Sequence, residues 1–350
     1  MTDLDDRASL ESIDRAAMRA LLIDFPDQVA RAWEWEAEVP SIDDMDQIVV
    51  CGMGGSAIGG DLLATLVRQW DVPMPVATVR DYALPTWVDP RTLVVAISYS
   101  GNTEETLSCA RQALDRGCPL LAVTSGGELA EIARSSDGPV ISVPSGQPPR
   151  ASLGYLLFPV LRSLARWIDR DMAAEVDSAI RTMRALVGEL DEAPEEANRA
   201  KRLARDLQDH VPVIYASAGL TEAVGRRWKT QINENAKSPA YWDVIPELNH
   251  NEIMGWEGDD LASRFVYVLL RDPYEQPPVV RRFDVSRQLL QDRGYLVRDV
   301  QGPDESSLLA RLMGYIVLGD WVSYYGAMLR GVDPTPVGLI ESFKQRMAEA

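Results

Sequence analysis

The sequence is poor in cysteine, histidine and positive charge. Of its 350 residues, three are cysteines and two are histidines, and Cys51, Cys109 and Cys118 show no CxxC spacing. We therefore expect no structural zinc site, and we interpret the cysteines as free thiols of a protein in the reducing cytoplasm. The net charge of −18 argues against a nucleic-acid partner, because phosphate backbones are bound by clustered lysine and arginine.

Long hydrophobic runs are also missing. No stretch approaches the roughly 20 apolar residues of a membrane span, and the acidic start of the chain has neither the basic residues nor the apolar run of a secretory signal. We therefore expect no membrane partner. Apolar residues nevertheless make up 46% of the 350 residues, which is enough for a sizeable core and predicts two domains of common size.

Short apolar runs rich in β-branched residues alternate with helical segments. This alternation predicts an α/β fold with parallel sheets buried on both faces. In the first half the candidate strands are 47–51, 75–79, 93–97, 120–124 and 140–143. In the second half, 212–216, 264–270 and 295–300 parallel 48–52, 92–97 and 120–124 in element order. A weak internal duplication into two similar domains follows from this repeat.

Helical patterns flank and connect the two predicted domains. Residues Met18, Leu21, Leu22 and Phe25 have helical spacing, and we expect Pro26 to end that helix. An amphipathic helix over 171–190 and the charged stretch 191–205 are interpreted as the connection between domains. The predicted division is an N-terminal helical segment (1–40), a first domain (41–165), a helical connection (166–205), a second domain (206–330) and a C-terminal helical segment (331–350).

The hydroxyl side chains of Ser98, Ser100 and Thr103 lie between a predicted strand and a helical segment. Hydroxyls clustered in such a loop, together with the free N–H groups of a helix N-terminus, form an anion site suited to a phosphate. The alternative is helix capping, with Asn102 as N-cap and Glu105 at N3. Because capping needs one of these side chains rather than three, we favour phosphate binding, although both can hold together.

Glycines crowd the segment 52–60, directly after the first predicted strand. Gly54, Gly55 and Ser56 would let the backbone approach a ligand closely. The spacing also fits a dinucleotide fingerprint, with Asp81 at about the ribose-binding distance. We rank that alternative, a nicotinamide-dependent oxidoreductase, lower because a dehydrogenase has no need of the hydroxyl loop.

These two loops resemble the sugar isomerase (SIS) domain, and nearly the whole chain resembles the bifunctional phosphoglucose/phosphomannose isomerases. The resemblance depends on separate motifs in the same order, namely 52–60, 98–106, 148–154, 233–237, 248–252 and 333–344. It implies two SIS domains, each a flavodoxin-like parallel sheet flanked by helices. It also implies a homodimer whose active sites lie at domain and subunit boundaries.

The resemblance implies catalytic roles for four further residues. Glu234 matches the family's base, which moves a proton between C1 and C2, and Arg150 matches the cation that stabilises the enediolate. His250 matches the residue assigned to sugar ring opening, and it would reach the site from the partner subunit. Lys344 matches a cation near the ring oxygen or O1. Without the resemblance, each residue has an ordinary structural interpretation. Glu234 would be a solvated carboxylate at a helix end, Arg150 a surface arginine, His250 a histidine in a polar loop, and Lys344 a lysine that snorkels at the edge of the core.

Lys344 also has a signal that is independent of the family. It shares one helical face with Ile340, Phe343 and Met347, and we expect this face to point inward.

The activity expected from these residues is interconversion of glucose 6-phosphate, and of mannose 6-phosphate, with fructose 6-phosphate through a cis-enediolate. No metal or redox cofactor is expected, because the proton moves within the substrate. The main alternative is a non-catalytic SIS-domain regulator that binds a sugar phosphate. Such a regulator would have no reason to keep Glu234, Arg150, His250 and Lys344 together.

Overall fold

The computed structural model describes residues 2–37, 39–41, 44–257 and 264–349. Its contacts divide the chain into two units. We name residues 24–184 with 305–313 the N-sheet unit, and residues 1–23, 185–304 and 314–350 the C-sheet unit. The units interleave along the chain, whereas the sequence-based division uses contiguous segments; that division stays a prediction. No helix in the described ranges is long and apolar enough to cross a membrane.

Helices surround both sheets. Along the described chain they are α1 (Arg7–Ile13), α2 (Met18–Glu34), α3 (Gly54–Gln69), α4 (Glu104–Asp115), α5 (Gly127–Ser135), α6 (Leu153–Trp167), α7 (Ala173–Glu192), α8 (Arg199–Leu207), α9 (Glu222–Asn235), α10 (Pro277–Asp292), α11 (Leu308–Arg330) and α12 (Gly338–Glu349). Pro26 lies inside α2, so the predicted helix end is wrong. Val29 and Ala32 continue the buried face beyond it, and their packing compensates for the one backbone hydrogen bond that a proline removes.

The N-sheet unit contains a parallel sheet of five strands. They are β1 (Gln47–Cys51), β2 (Val76–Val79), β3 (Thr92–Ile97), β4 (Leu120–Thr124) and β5 (Val140–Ser142), in the order β2-β1-β3-β4-β5. Every residue of β3 is buried, as expected for a strand that is covered by helices on both faces. The predicted strands of this half are confirmed, with bounds that differ by a residue or so.

The C-sheet unit contains a parallel sheet of four strands, β6 (Val211–Ser217), β7 (Tyr241–Ile245), β8 (Phe265–Arg271) and β9 (Leu296–Gln301), in the order β7-β6-β8-β9. The sequence analysis found β6, β8 and β9 but not β7. This strand lies at the sheet edge, and only Ile245 is buried in it. An edge strand that faces solvent lacks the apolar run by which buried strands are found.

The two sheets share one topology, which confirms two parallel-sheet domains of similar order. In each, the first strand pairs with the second on one side and with the third on the other. The connections therefore diverge between β1 and β3, and between β6 and β8. In open α/β sheets, ligands bind at the carboxyl ends of the strands at such a switch point.

Candidate active site

The hydroxyl loop follows β3 at the switch point of the N-sheet unit. Ser98 is only 1% exposed, and its Oγ lies 2.8 Å from Thr103 Oγ1 and accepts from the N–H of Gly101 at 3.1 Å. Ser98 therefore holds the loop in shape. Ser100 is exposed and Thr103 is half-buried, so these two hydroxyls are the ones open to a ligand.

The start of α4 differs from the predicted capping box. The helix begins at Glu104 with Thr103 as its N-cap, and no side chain caps the first turn. The Asn102 side-chain oxygen instead accepts from the N–H of Glu128 at 3.0 Å, so the capping alternative does not hold for α4. Because no side chain caps this turn, its N–H groups can serve solvent or a bound anion.

Gly101 lets the hydroxyl loop turn against the next connection of the sheet. Its φ is +72°, and a Cβ built on it would lie 1.8 Å from the carbonyl oxygen of Gly126. Only glycine fits such a position. The close approach of Gly126 to Gly101 was not predicted from the sequence. A glycine pair shortly after a predicted strand could have indicated a tight turn there.

The glycine segment follows β1, which pairs directly with β3. Gly54 begins α3 and Ser56 is buried in its first turn. A Cβ on Gly55 would lie 3.0 Å from Arg150 Cα, so a glycine is needed here for the close approach. The structure thus brings together the glycine segment, the hydroxyl loop and Arg150 within one unit.

Arg150 lies in a short 3-10 helix, Pro149–Ala151, and is only 4% exposed. The surface-arginine interpretation is therefore wrong. Tyr99, in the hydroxyl loop, donates to the carbonyl of Pro144 at 2.8 Å and accepts from the N–H of Gln147 at 2.9 Å. These hydrogen bonds connect the hydroxyl loop to the segment that precedes Arg150. Burial strengthens the attraction between a guanidinium and any nearby anion. Tyr99 could not be predicted from the sequence, because its hydrogen-bond partners lie far along the chain.

Glu234 is the penultimate residue of α9 and is half-buried. An adjacent face of the same helix is bound to α11 by buried polar side chains spaced four residues apart. They are Arg227 (2.7 Å) and Gln231 (2.7 Å), both on Asp320, and Asn235 (2.9 Å) on Ser323. Residues four apart share one helix face, so these contacts fix the rotation of α9 and with it the direction of Glu234.

Lys237 joins the end of α9 to the segment before α12. Its Nζ donates to the carbonyl oxygen of Glu234 and, at 2.9 Å, to that of Pro334. A cation at a helix C-terminus satisfies carbonyl groups that the helix itself leaves without partners. The sequence motif contained Lys237, but the sequence analysis assigned it no role.

Lys344 and its neighbours on α12 are exposed. No described residue of α12 is buried, and Leu339 and Phe343 are 87% and 64% exposed. The prediction that this face points inward is therefore wrong for the single chain, in which the face is exposed to solvent. Helical spacing shows that a face is apolar but not what covers it.

His250 is exposed at the end of a 3-10 helix, Glu247–His250, that follows β7. The carboxyl of Glu252, two residues on, is partly buried. Burial in the first place, and a hydrogen bond with Asp243 in the second, raise the pKa of Glu252 to about 7. Glu275, which follows β8, also has its pKa raised to about 7, mainly by burial. Neither carboxyl was predicted from the sequence, because burial of a side chain depends on the tertiary packing.

Comparison with known proteins gives consistent matches over most of the chain. Residues 41–143 match the SIS domain, and residues 196–347 match the bacterial phospho-glucose isomerase C-terminal SIS domain. A bifunctional phosphoglucose/phosphomannose isomerase of Caldicellulosiruptor bescii is 41% identical, covering 93% of this chain and 97% of that protein. One of Aquifex aeolicus, with the same name, is 39% identical, covering 90% and 94%. The crystal structure of a hypothetical protein from Thermus thermophilus has a TM-score of 0.71 at 17% identity, covering 98% and 94%, and shares the fold.

Proposed function

Because the chain belongs to the bifunctional phosphoglucose/phosphomannose isomerase family, we propose that it interconverts glucose 6-phosphate and fructose 6-phosphate, and mannose 6-phosphate and fructose 6-phosphate. The proposal rests chiefly on the hydroxyl loop, which lies at the switch point of a parallel sheet with the glycine segment and Arg150 beside it. An anionic sugar is the ligand that such a loop suits.

The phosphate is held by the N-sheet unit. Ser100 and Thr103 donate their hydroxyls, and the first turn of α4 and the glycine segment supply backbone N–H groups, while Ser98 keeps the loop in shape. The phosphate is remote from the carbons that react. Its binding energy can therefore position the sugar for reaction.

The proton is moved by Glu234. After His250 and Lys344 assist ring opening, the carboxylate removes the C2 proton of the open aldose. The C–H electron pair forms a C1=C2 double bond, and O1 gains negative charge, which Arg150 stabilises. The proton that O2 loses is taken up by O1, and return of the abstracted proton to C1 gives the ketose, with a hydroxyl at C1 and a carbonyl at C2. Glucose 6-phosphate and mannose 6-phosphate share this cis-enediolate, because they differ only at C2.

The active form is a cytoplasmic homodimer, and His250 serves the site of the partner subunit. Supporting this, the apolar side chains of α12, Leu339 and Phe343 among them, are exposed in the single chain, and a second copy would cover them. The substrates are hexose 6-phosphates. No nucleic acid or membrane takes part.

Proton NMR of the purified protein with each hexose 6-phosphate in deuterium oxide tests the proposal. We expect all three sugars to interconvert and deuterium to enter at C2 of the aldoses. Binding without conversion would instead favour the regulator, and a change in nicotinamide absorbance on adding the cofactor with the sugar would favour the oxidoreductase.

Subunit mixing tests the dimer. Glu234→Gln and His250→Ala chains, each strongly impaired alone, should regain activity when mixed, because a hybrid dimer has one intact site. If subunits exchange and no activity returns, both residues act in one subunit's site.

A further inference from the structure

A polar cluster lies buried beneath the loop that contains His250. Tyr215 of β6 is fully buried, and its hydroxyl donates to Glu252 Oε1 at 2.5 Å. The indole N–H of Trp256 donates to the same hydroxyl at 3.2 Å. Glu252 follows His250 by two residues, so the segment after His250 is bound to the central strand of the C-sheet.

The segment before His250 is held as well. Leu248 is completely buried in the apolar cluster that includes Tyr215, Trp256 and Tyr267. The Asn249 side-chain amide donates to Ser286 Oγ of α10 at 2.9 Å. His250 is therefore an exposed side chain on a loop whose two flanks are fixed.

We propose that Glu252 is a positioning residue, which through Tyr215 holds the backbone of residues 248–252 so that His250 presents its imidazole at a constant place. The inference rests on the proposed role of His250 in ring opening. It assigns no contact between Glu252 and the substrate. A catalytic group must be held within about 0.5 Å of its productive place, and an exposed loop needs such anchors to achieve this.

The chemistry around Glu252 favours a specific anchor over general packing. The groups that face it are Tyr215 of β6, Asp243 of β7 and Tyr267 of β8. Burial and the hydrogen bond with Asp243 raise the pKa of Glu252 to about 7. A buried carboxyl needs its hydrogen bonds to offset the cost of burial, so loss of either partner should disturb the segment that it holds.

Substitution of the anchor tests the inference. Tyr215→Phe and Glu252→Ala should each lower kcat about tenfold or more with KM for hexose 6-phosphates changed less than about twofold, because the phosphate is held by another part of the protein. Glu252→Gln should keep most of kcat, since the amide oxygen still accepts from Tyr215. Tyr295→Phe is the matched control: it removes a hydroxyl bonded to the Trp256 carbonyl at 3.0 Å in the same cluster, and kcat should stay unchanged.

A double-mutant cycle separates positioning from a general loss of structure. In a His250→Ala background, Tyr215→Phe and Glu252→Ala should lower kcat no further, because the group that they position is gone. A further loss in that background, or wild-type kcat in both single variants while His250→Ala is impaired, would overturn the inference and leave the proposed function intact. Wild-type activity of His250→Ala would instead show that His250 has no role in ring opening.

If Glu252→Ala does not fold, Tyr215→Phe alone tests whether the anchor positions His250, because it removes the hydroxyl and retains the ring.

Discussion

The two sheets have the same strand order around the switch point but different residues in the loops that follow. After β3 the chain has the hydroxyls of Ser98, Ser100 and Thr103; after β8 it has the carboxyls of Asp272 and Glu275. Burial of Glu275, with Asp272 nearby, raises its pKa to about 7. A phosphate would be repelled by ionised carboxylates at this place. The same topology thus places different chemistry at the two switch points, and we expect only the hydroxyl loop to suit an anion.

The two units also position their functional groups differently. The N-sheet unit shapes a loop through Ser98 and Gly101, so the phosphate site that we propose there can use backbone N–H groups. The C-sheet unit orients a helix, because the buried ion pair of Arg227 and Asp320 fixes α9 and thereby Glu234. N–H groups that converge in a loop and at a helix N-terminus suit anion binding, whereas a side chain on a helix whose rotation is fixed points in a constant direction.

The largest expected effect concerns the base. Glu234→Gln keeps size and hydrogen bonding but removes basicity, so kcat should fall about 10²–10⁴-fold with KM little changed. Steady-state kinetics with glucose 6-phosphate and mannose 6-phosphate should show the same loss. Glu222→Gln, at the other end of α9, is the control and should retain kcat. A Glu234→Gln protein with more than about a tenth of wild-type kcat would falsify the assignment.

The next effect concerns the support of α9. Asp320→Ala removes the carboxylate that pairs with the buried Arg227, which should lower the free energy of unfolding by about 3–5 kcal/mol in urea titrations. Asp299→Ala removes a carboxylate from exposed pairs with Arg271 and Arg287 and should cost about 1 kcal/mol or less. Equal losses in the two variants would mean that the buried pair has no special part in holding α9.

A smaller effect separates the two loops. Ser100→Ala and Thr103→Ala should each weaken binding of every hexose 6-phosphate by about 1.5–3 kcal/mol, because each removes one hydrogen bond to the shared phosphate. Calorimetric titration measures this. Glu275→Gln, in the corresponding loop of the C-sheet, should leave affinity unchanged. Weakened binding of one sugar only would show that the hydroxyl loop contacts the sugar and not its phosphate.

The smallest effect is on pH dependence. The pKa of Glu275 is raised from 4.5 to about 7 in the folded protein, so the folded state binds its proton more tightly than the unfolded state. Its stabilising contribution is complete below about 4.5 and is lost as the pH rises through about 7. Glu275→Gln should therefore reduce the fall in unfolding free energy between pH 5 and 7.5, measured by urea titration. Glu247→Gln, which removes an exposed carboxyl, should leave the fall in unfolding free energy over this pH range unchanged. If Glu275→Gln also leaves it unchanged, the raised pKa of Glu275 is contradicted.

The sequence predicted most strands, because composition and period act locally and β3, for example, is apolar throughout. It missed β7, which lies at the sheet edge with few buried residues. It also left open a cap at Asn102 as an alternative, whereas the Asn102 side-chain oxygen accepts from the N–H of Glu128 in α5. Local patterns cannot show such a partner, because α5 comes close only after the sheet has formed.

The sequence by itself determined the alternation of strands and helices and the places of the hydroxyl loop, the glycine segment and Glu234, since each follows from residues that are neighbours in the chain. Only the tertiary structure decided that Arg150 is buried, that Ser98 shapes the loop while Ser100 and Thr103 stay open, and that Tyr215 reaches Glu252. Burial and hydrogen-bond partners depend on groups far apart in sequence, and the packing of the sheets brings these groups together.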